Sequence, residues 1–522
     1  MKFKEFLKNF FLNVKEGISR FSMAFIFTAL AFFTITFEII FETNSDETII
    51  PLCMAYGLAA VLSVLLKTIQ EYIFEKFKPL FQYIISVVAG VVTFILTYTN
   101  YESLYMIMAY TGVTIALLCF IFYVIMRGEN RDIAFPKLVT SWVFAGAICS
   151  VLSGGLSICI SAVQLLLFSW DDSYKLYLIV NLFVWVICFV NIFLSCIPKK
   201  DVSVPQSKIF RIFALFAGLP LYMLLLAILL IYLAKIVITW NMPVGEINWF
   251  ASFASLFFIF FLLSVMQYKE KLATWFTKFG GYFLFPILII QAIAVFERIN
   301  AYGLTTPRTV SLVLIVISIL FIIGSLVIPK HLNKIALISG IIVLIVTVTP
   351  FNVIDMPIKS QTNILKTVLT ENNMLVNNEV IPNPDIDREA AERIISSYEY
   401  LKYDAKNVPD FIKHSDKSIE EIFGFEKYIE NDNYKYCTYR SKDTIDITPY
   451  NKMVYIDTGN IPYDIDIKQI AKNLYYLYGT DYGELDLYII DENMALYIER
   501  LSFDMRDDEI TYFSLSGYVL TK

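Results

Sequence analysis

Eleven stretches of about twenty mostly apolar, nearly uncharged residues leave this chain very few folds. They lie near residues 21–41, 49–66, 80–97, 104–126, 138–168, 176–197, 209–239, 248–267, 279–297, 309–329 and 335–352. Each is long enough to cross a bilayer, where a peptide group finds no water to bond, so each is predicted to be a spanning helix. Composition agrees. Of the 522 residues 57% are hydrophobic and 17% charged, against about 25% charged in an ordinary soluble domain. An all-soluble protein is excluded.

The charge is split along the chain. Residues 1–353 carry 24 Lys+Arg and 17 Asp+Glu, a net of +7; residues 354–522 carry 18 and 31, a net of −13. A basic membrane part is therefore followed by an acidic, polar part. The fold class expected is a polytopic α-helical membrane protein of about 11 spans with a C-terminal extracytoplasmic α+β domain. The expected domains are 1–20, 21–353, 354–384 and 385–522. The first is a cytoplasmic interfacial helix, the second the transmembrane part, the third a stalk and linker, the last the soluble domain.

Residues 1–20 differ from a span. Phe3, Phe6, Leu7, Phe10, Phe11, Val14 and Ile18 recur at helical spacing, with Lys2, Lys4, Lys8 and Lys15 between them. That pattern predicts an amphipathic helix on a membrane surface. The span after it is too long for a signal-peptide core and has no Ala-x-Ala pattern, so it is expected to be retained.

Orientation follows from Lys and Arg in the short loops. After the five of the N-terminal segment, the even loops carry Lys67, Lys76 and Lys78; Arg127, Arg131 and Lys137; Lys199, Lys200 and Lys208; Lys269, Lys271 and Lys278; Lys330 and Lys334. Of the odd loops, loop five has only Lys175, loop nine has Arg298 and Arg308, and the others have none. The N-terminus is expected to be cytoplasmic and, with an odd span count, the C-terminal domain outside. Residues 138–168 test the count, because Gly154-Gly155 interrupts 31 uncharged positions. Two half-spans there would put the later lysines outside, so one span is expected. Pro220 is expected to kink the 209–239 span.

Four ionisable residues fall near outer span ends: Glu38, Lys235, Glu297 and Arg298. As a functional group they form a polar substrate-binding mouth in the outer leaflet. As a structural group they are snorkelling anchors. Gln164, Asn181, Asn191 and Gln291 are deeper and are expected to hydrogen-bond between helices. Six of the seven cysteines lie in or beside apolar runs and act as small hydrophobes. His331 and His414 stand far apart without Cys partners at ligand spacing. Neither a metal site nor a cofactor is expected.

The soluble part is predicted to hold helices at 388–402, 419–429 and 467–478, strands at 434–440 and 453–457, and a meander over 485–490, 494–501 and 510–520. It has none of the phosphate-loop, nucleophile-elbow or triad patterns. Asp385-x-Asp387 opens like a calcium loop, but Ala390 stands where that loop needs Gly, so N-capping explains it better. The −13 charge opposes nucleic acid.

Two odd loops carry a further pattern. One is Trp240-Asn241-Met242-Pro243-Val244-Gly245. The other runs from Arg298 to Arg308 and includes Tyr302, Gly303, Thr305 and Pro307. With Asp385-Ile386-Asp387-Arg388-Glu389, these resemble the bacterial membrane-protein family called domain of unknown function 4153. The resemblance implies a multi-span protein of Gram-positive type, with Pro243, Gly245, Arg298, Tyr302, Gly303, Thr305 and Arg308 as its motif residues; it brings no activity. Read physically, Tyr302 suits an interface, Gly303 a positive φ, Thr305 or Thr306 a helix cap, and Pro307 a first turn. Arg298 and Arg308 go against the inside preference for positive charge, so a carboxylate or carbonyl partner in a neighbouring loop or in 354–522 is expected.

Three functions remain open: a transport or permease-like protein, or a transporter accessory, with an external lid or capture domain; a non-transporting envelope sensor or assembly scaffold; and an enzyme acting on an envelope lipid. The partners expected are the lipid bilayer, other envelope membrane proteins, and a small-molecule or peptide ligand of unknown identity. The orientation has a direct check. A cysteine placed within Asn431–Asn433 should react with an impermeant thiol reagent on intact cells; reaction only after permeabilisation overturns it.

Overall fold

In the computed structural model of the chain, residues 2–522 are described except 44, 75, 77, 128–130, 167–171, 201–205, 240–245, 404–406, 413–416, 426–434, 443, 444, 446, 459–464, 479–481, 507 and 508. The Trp240–Gly245 turn, His414 and the Asn431–Tyr434 stretch fall outside the described residues. The chain forms two compact units. One is Met1–Thr367 with Ser396–Pro409; the other is Val368–Ile395 with Asp410–Lys522.

Among the described residues the first unit holds eleven helices long and apolar enough to cross a membrane. They are spans 1 to 11: Ser22–Phe41, Asp46–Tyr72, Pro79–Tyr98, Leu104–Ile125, Ala134–Leu166, Ser173–Ser195, Lys208–Thr239, Asn248–Val265, Lys271–Tyr302, Thr306–Val327 and Pro329–Val348. All eleven apolar runs become one helix each. Gly154 and Gly155 do not break span 5, and nothing lies within 4 Å of a Cβ added at either. Nearby Ile158 and Leu165 are 70% and 82% exposed, so this face meets lipid, where an opened helix would strand its amides. Pro220 is met by a π-helical turn, Phe213–Gly218, directly before it. There the Leu219 amide bonds the Ala214 carbonyl, five residues back. This widening makes room for a ring that clashes with an α-helical turn.

Span 9 runs further than its apolar core. The expected eleven-residue loop from Arg298 to Arg308 shrinks to Gly303–Thr305, and Arg298 lies within the helix. Asn181 and Gln164 bridge spans 5 and 6 through Ser153, Ser157 and Ser173. Asn191 instead bonds back to the Ile187 carbonyl of its own helix.

The N-terminal helix Lys2–Arg20 is not left to lipid alone. Phe10 and Val14 pack on Ala145, Cys149, Val184 and Ile192 of spans 5 and 6. Gly17 permits the close approach, since a Cβ there would fall 2.5 Å from that of Ser195. Arg20 ends this helix in a clasp. Its guanidinium pairs with Glu71 at 2.6 Å and donates to the Ile197 and Pro198 carbonyls at 2.7 and 3.0 Å. The Tyr72 hydroxyl donates to the same Pro198 carbonyl at 2.9 Å. With Arg20 only 8% exposed, these bonds replace water around a fixed charge.

Among its described residues the second unit carries two sheets. The short hairpin β1 (Leu375–Val376) and β2 (Glu379–Val380) turns through Asn377 and Asn378, both at positive φ, the geometry of a type I′ turn. The main sheet is built from β3 (Lys435–Ser441), β4 (Lys452–Asp457), β5 (Tyr482–Leu485), β6 (Tyr488–Ile489), β7 (Met494–Arg506) and β8 (Glu509–Thr521), in the order β4-β8-β7-β3-β5, with β6 on β7. Pairing is antiparallel except between β3 and β5. Helix Ile467–Tyr478 buries Ile470, Ala471 and Leu474 against the sheet. Along β7, Leu496 and Ile498 are buried, then Leu501, Phe503 and Met505. A bulge at Glu499, between the pairs Ile498–Gly517 and Arg500–Ser516, makes that change of parity. Cys437 is fully buried here.

Helix Arg388–Lys402 begins where expected, and Asp387 accepts from the Glu389 amide at 3.1 Å. The helix at Ile419 is shorter than expected. It opens with a Ser418–Glu421 capping box and stops at Phe423, because Gly424 takes φ +86°.

The clasp yields a testable difference. Glu71→Gln should cost about 1–3 kcal/mol, since it leaves Arg20 with carbonyls only. Lys67→Gln, whose ammonium stands 3.8 Å from Glu71, should cost less than about 0.5 kcal/mol. Thermal unfolding of the detergent-solubilised chain reads both, and equal losses would show that the clasp does not rest on Arg20.

Candidate functional site

Span 8 begins, span 9 ends and span 10 begins at one end of the bundle, and a cavity of about 740 Å³ lies among them. Its polar lining is Asn248, Ser252, Arg298, Thr305, Thr306, Arg308 and Ser311; its apolar lining includes Trp249, Phe253, Val295, Leu256 and Leu314. Both arginines of the sequence motif therefore face one space. No carboxylate is among the described lining residues.

The frame of the site is hydrogen-bonded across all three spans. Gln291 of span 9 is fully buried. Its amide nitrogen donates to the Asn248 side-chain oxygen and to the Ser252 hydroxyl, both at 2.9 Å. Asn248 donates to the Ser311 hydroxyl at 3.0 Å, and Ser311 donates to the Pro307 carbonyl at 2.9 Å. In a medium without water such bonds fix helix register, because the alternative is an unpaired polar group. Gln291 Oε1 has no partner among the described residues.

The turn Gly303–Thr305 is held from the other side by helix Asp355–Glu371. Gln361 donates to the Tyr302 and Leu304 carbonyls, both at 2.9 Å, and Ser360 accepts from the Leu304 amide at 3.0 Å. Gly303 has φ +76°, and a Cβ there would collide with Ile364. Both facts demand glycine. Thr305 stands at the N-cap position, but its side chain caps nothing. The Thr306 hydroxyl is drawn off to the Val353 carbonyl at 2.8 Å and meets the Tyr400 hydroxyl at 3.0 Å. Arg308 reaches back to the Gly303 carbonyl at 2.5 Å, and its guanidinium lies 6.0 Å from the Tyr302 ring centre. Among the described residues its partner is thus in its own turn, not in a neighbouring loop or in 354–522. Arg298 makes no hydrogen bond or ion pair among the described residues.

The other residues singled out from the sequence lie apart from this cavity. Glu38 accepts from the Thr43 hydroxyl. Lys235 is exposed near the end of span 7, and Glu297 is exposed on span 9 beside Arg298 without lining the cavity. Pro243 and Gly245 lie outside the described residues. The sequence reading missed Asn248, Ser252 and Ser311 as lining residues. Their signal was available, since Asn248 and Ser252 share a helix face four residues apart, but small polar residues are common in spans.

The sequence pattern of the family described as Domain of unknown function (DUF4153) matches residues 3–376. The chain belongs to that family. The match takes in all eleven spans and both cavity arginines of this DUF4153 member, together with Ser360 and Gln361. Among curated proteins and among solved structures, none matches the chain.

Gly303 supplies the test of this DUF4153 turn. Gly303→Ala should lower stability by about 1–3 kcal/mol, through a strained φ and a displaced Ile364. Gly154→Ala, with open space around it, should leave stability within about 0.5 kcal/mol. The two variants are compared by thermal unfolding in detergent; a neutral Gly303→Ala would mean that the turn is not held as described.

Proposed function

We propose that this chain is a transport-type membrane protein of the cell envelope, binding an anionic ligand in the Arg298–Arg308 cavity. One observation carries the reading: two guanidinium groups line a single cavity at the ends of spanning helices, with no carboxylate among the described lining residues. Charges at span ends are costly when uncompensated. Two like charges repel as well, so an anion gains from both. The polar frame of Gln291, Asn248 and Ser311 fixes the three helices that present them, as a binding site requires.

The loop charges support a cytoplasmic N-terminus. On that orientation the cavity opens in the outer leaflet, and the acidic second unit lies on the same outer side as a lid or capture domain. The reading as a lipid-modifying enzyme has less support, because an acid–base pair is not among the described residues of the cavity. The scaffold reading gives the arginine pair no task.

Trp249 lines the cavity and serves as its reporter. With the other five tryptophans replaced by phenylalanine, phosphate or glycerol phosphate should change its fluorescence in a saturable manner, while choline should not. Arg298→Gln should weaken the response by about tenfold, the size of one charge-assisted bond. A response to choline equal to that for phosphate, or none to any anion, would sink the proposal.

A further inference from the structure

Directly along the spans from the arginine cavity lies a second space, of about 580 Å³. Leu256 of span 8 and Leu314 of span 10 line both. Beyond them the wall is almost wholly hydrocarbon, with Ile259, Leu263, Ile317 and Phe321 continuing down the same two helices. Residues from eight of the eleven spans converge on it, among them Ala24, Ala60, Ile115, Leu138, Leu194 and Val343. Ser339 is the one hydroxyl in its described lining.

Each space is of the size of a small-molecule site, about 300–1,000 Å³, yet their chemistries are opposite. Ordered water needs two to four polar partners, which the lower space does not offer. Hydrocarbon is what it accommodates at least cost, through dispersion contacts along its walls. The upper space offers two cations, hydroxyls and an amide. From Arg308 to Phe321 is thirteen residues, so the pair of spaces extends for about 20 Å along span 10, well over half of a hydrocarbon core of about 30 Å.

We propose that the ligand is an anionic amphiphile, a lipid with a phosphate headgroup, held with its phosphate between Arg298 and Arg308 and one acyl chain passing Leu256 and Leu314 into the apolar space. This rests on the arginine cavity being the binding site and adds the class of ligand. A free anion would use the upper space alone and leave the lower one without a role. A neutral lipid would use the lower and leave two charges uncompensated. Only a molecule with both parts matches the vertical order of the two linings. The headgroup is bound by bidentate guanidinium contacts, with Thr305, Thr306 and Ser311 alongside. A ligand held in this way lies with its chain in a recess among the spans that is open on one side, where Ile115 and Leu118 of its lining are exposed.

The test uses the full chain in phosphatidylcholine nanodiscs, with a phosphatidylglycerol probe carrying a photoactivated diazirine midway along one acyl chain. Adducts should map to Ile259–Leu263 and Ile317–Phe321. Unlabelled phosphatidylglycerol should suppress them and added phosphatidylcholine should not. Arg298→Gln should reduce them about tenfold; that variant is chosen because Arg298 makes no hydrogen bond among the described residues. Val343→Phe, which fills part of the apolar space and does not line the arginine cavity, should reduce them while leaving the Trp249 response to glycerol phosphate in place, a readout that also shows the variant to be folded. Adducts only on outward-facing residues, with the glycerol phosphate response intact, would overturn the lipid and leave the anion site standing. Cavity adducts suppressed equally by phosphatidylcholine, or unchanged by Arg298→Gln, would also overturn it, as a lipid entering without regard to charge. Loss of both the adducts and the anion response would overturn the two readings together.

Discussion

Within a hydrocarbon layer a peptide group has only its own chain to bond, and each passage of this chain through that layer is shaped by the need. It explains why Gly154-Gly155 stays helical in span 5, where the same pair in water would invite a turn. It explains why Pro220 is met by a wider turn rather than a break. The same scarcity of partners gives side-chain amides their influence. Gln291 joins spans 8 and 9, and Asn248 joins spans 8 and 10, so three helices are fixed in register by a few bonds. Soluble helices would need a packed core to reach comparable definition.

The turn after span 9 concentrates conflicting demands in three residues. Gly303 takes a conformation other residues resist, Gln361 fastens the carbonyls on either side of it, and Arg308 adds a charge-assisted bond to the Gly303 carbonyl. With the turn held so firmly, the arginines project from rigid helix ends. Arg308 is half committed to the backbone, while Arg298 has no such commitment among the described residues. The pair therefore combines an anchored cation with one free to adjust, a useful division where a ligand must be both bound and released.

Much of this was legible in the sequence. Apolar length alone gave all eleven spans, because the bilayer sets one requirement and composition answers it. Helix 467–478 was read to the residue, since Ile470 and Leu474 recur at helical spacing. Strand β7 was read only as far as Leu501, because the bulge at Glu499 reverses the alternation that marks a strand. The arginine pair was visible as an exception to the charge rule, but the cavity was not. A cavity depends on which faces of three helices meet, and spans greasy all round carry little record of their facing sides. Glu297 and Arg298 show the limit plainly: adjacent in sequence, they point about 100° apart on a helix, and only Arg298 reaches the space.

The clasp at Arg20 has a bearing on how the molecule comes into being. Arg20 is made well before its partner, since the Ile197 carbonyl it bonds is 177 residues further along the chain. At a synthesis rate of about 5–20 residues per second, that interval is on the order of ten to thirty seconds. Until span 6 is complete, Gly17 has no Ser195 to lie against, and the N-terminal helix has no finished surface beneath Phe10 and Val14. A helix made before the spans it packs on is thus a late arrival in the assembled protein: loose during insertion, it becomes a seal once half of the membrane helices are in place.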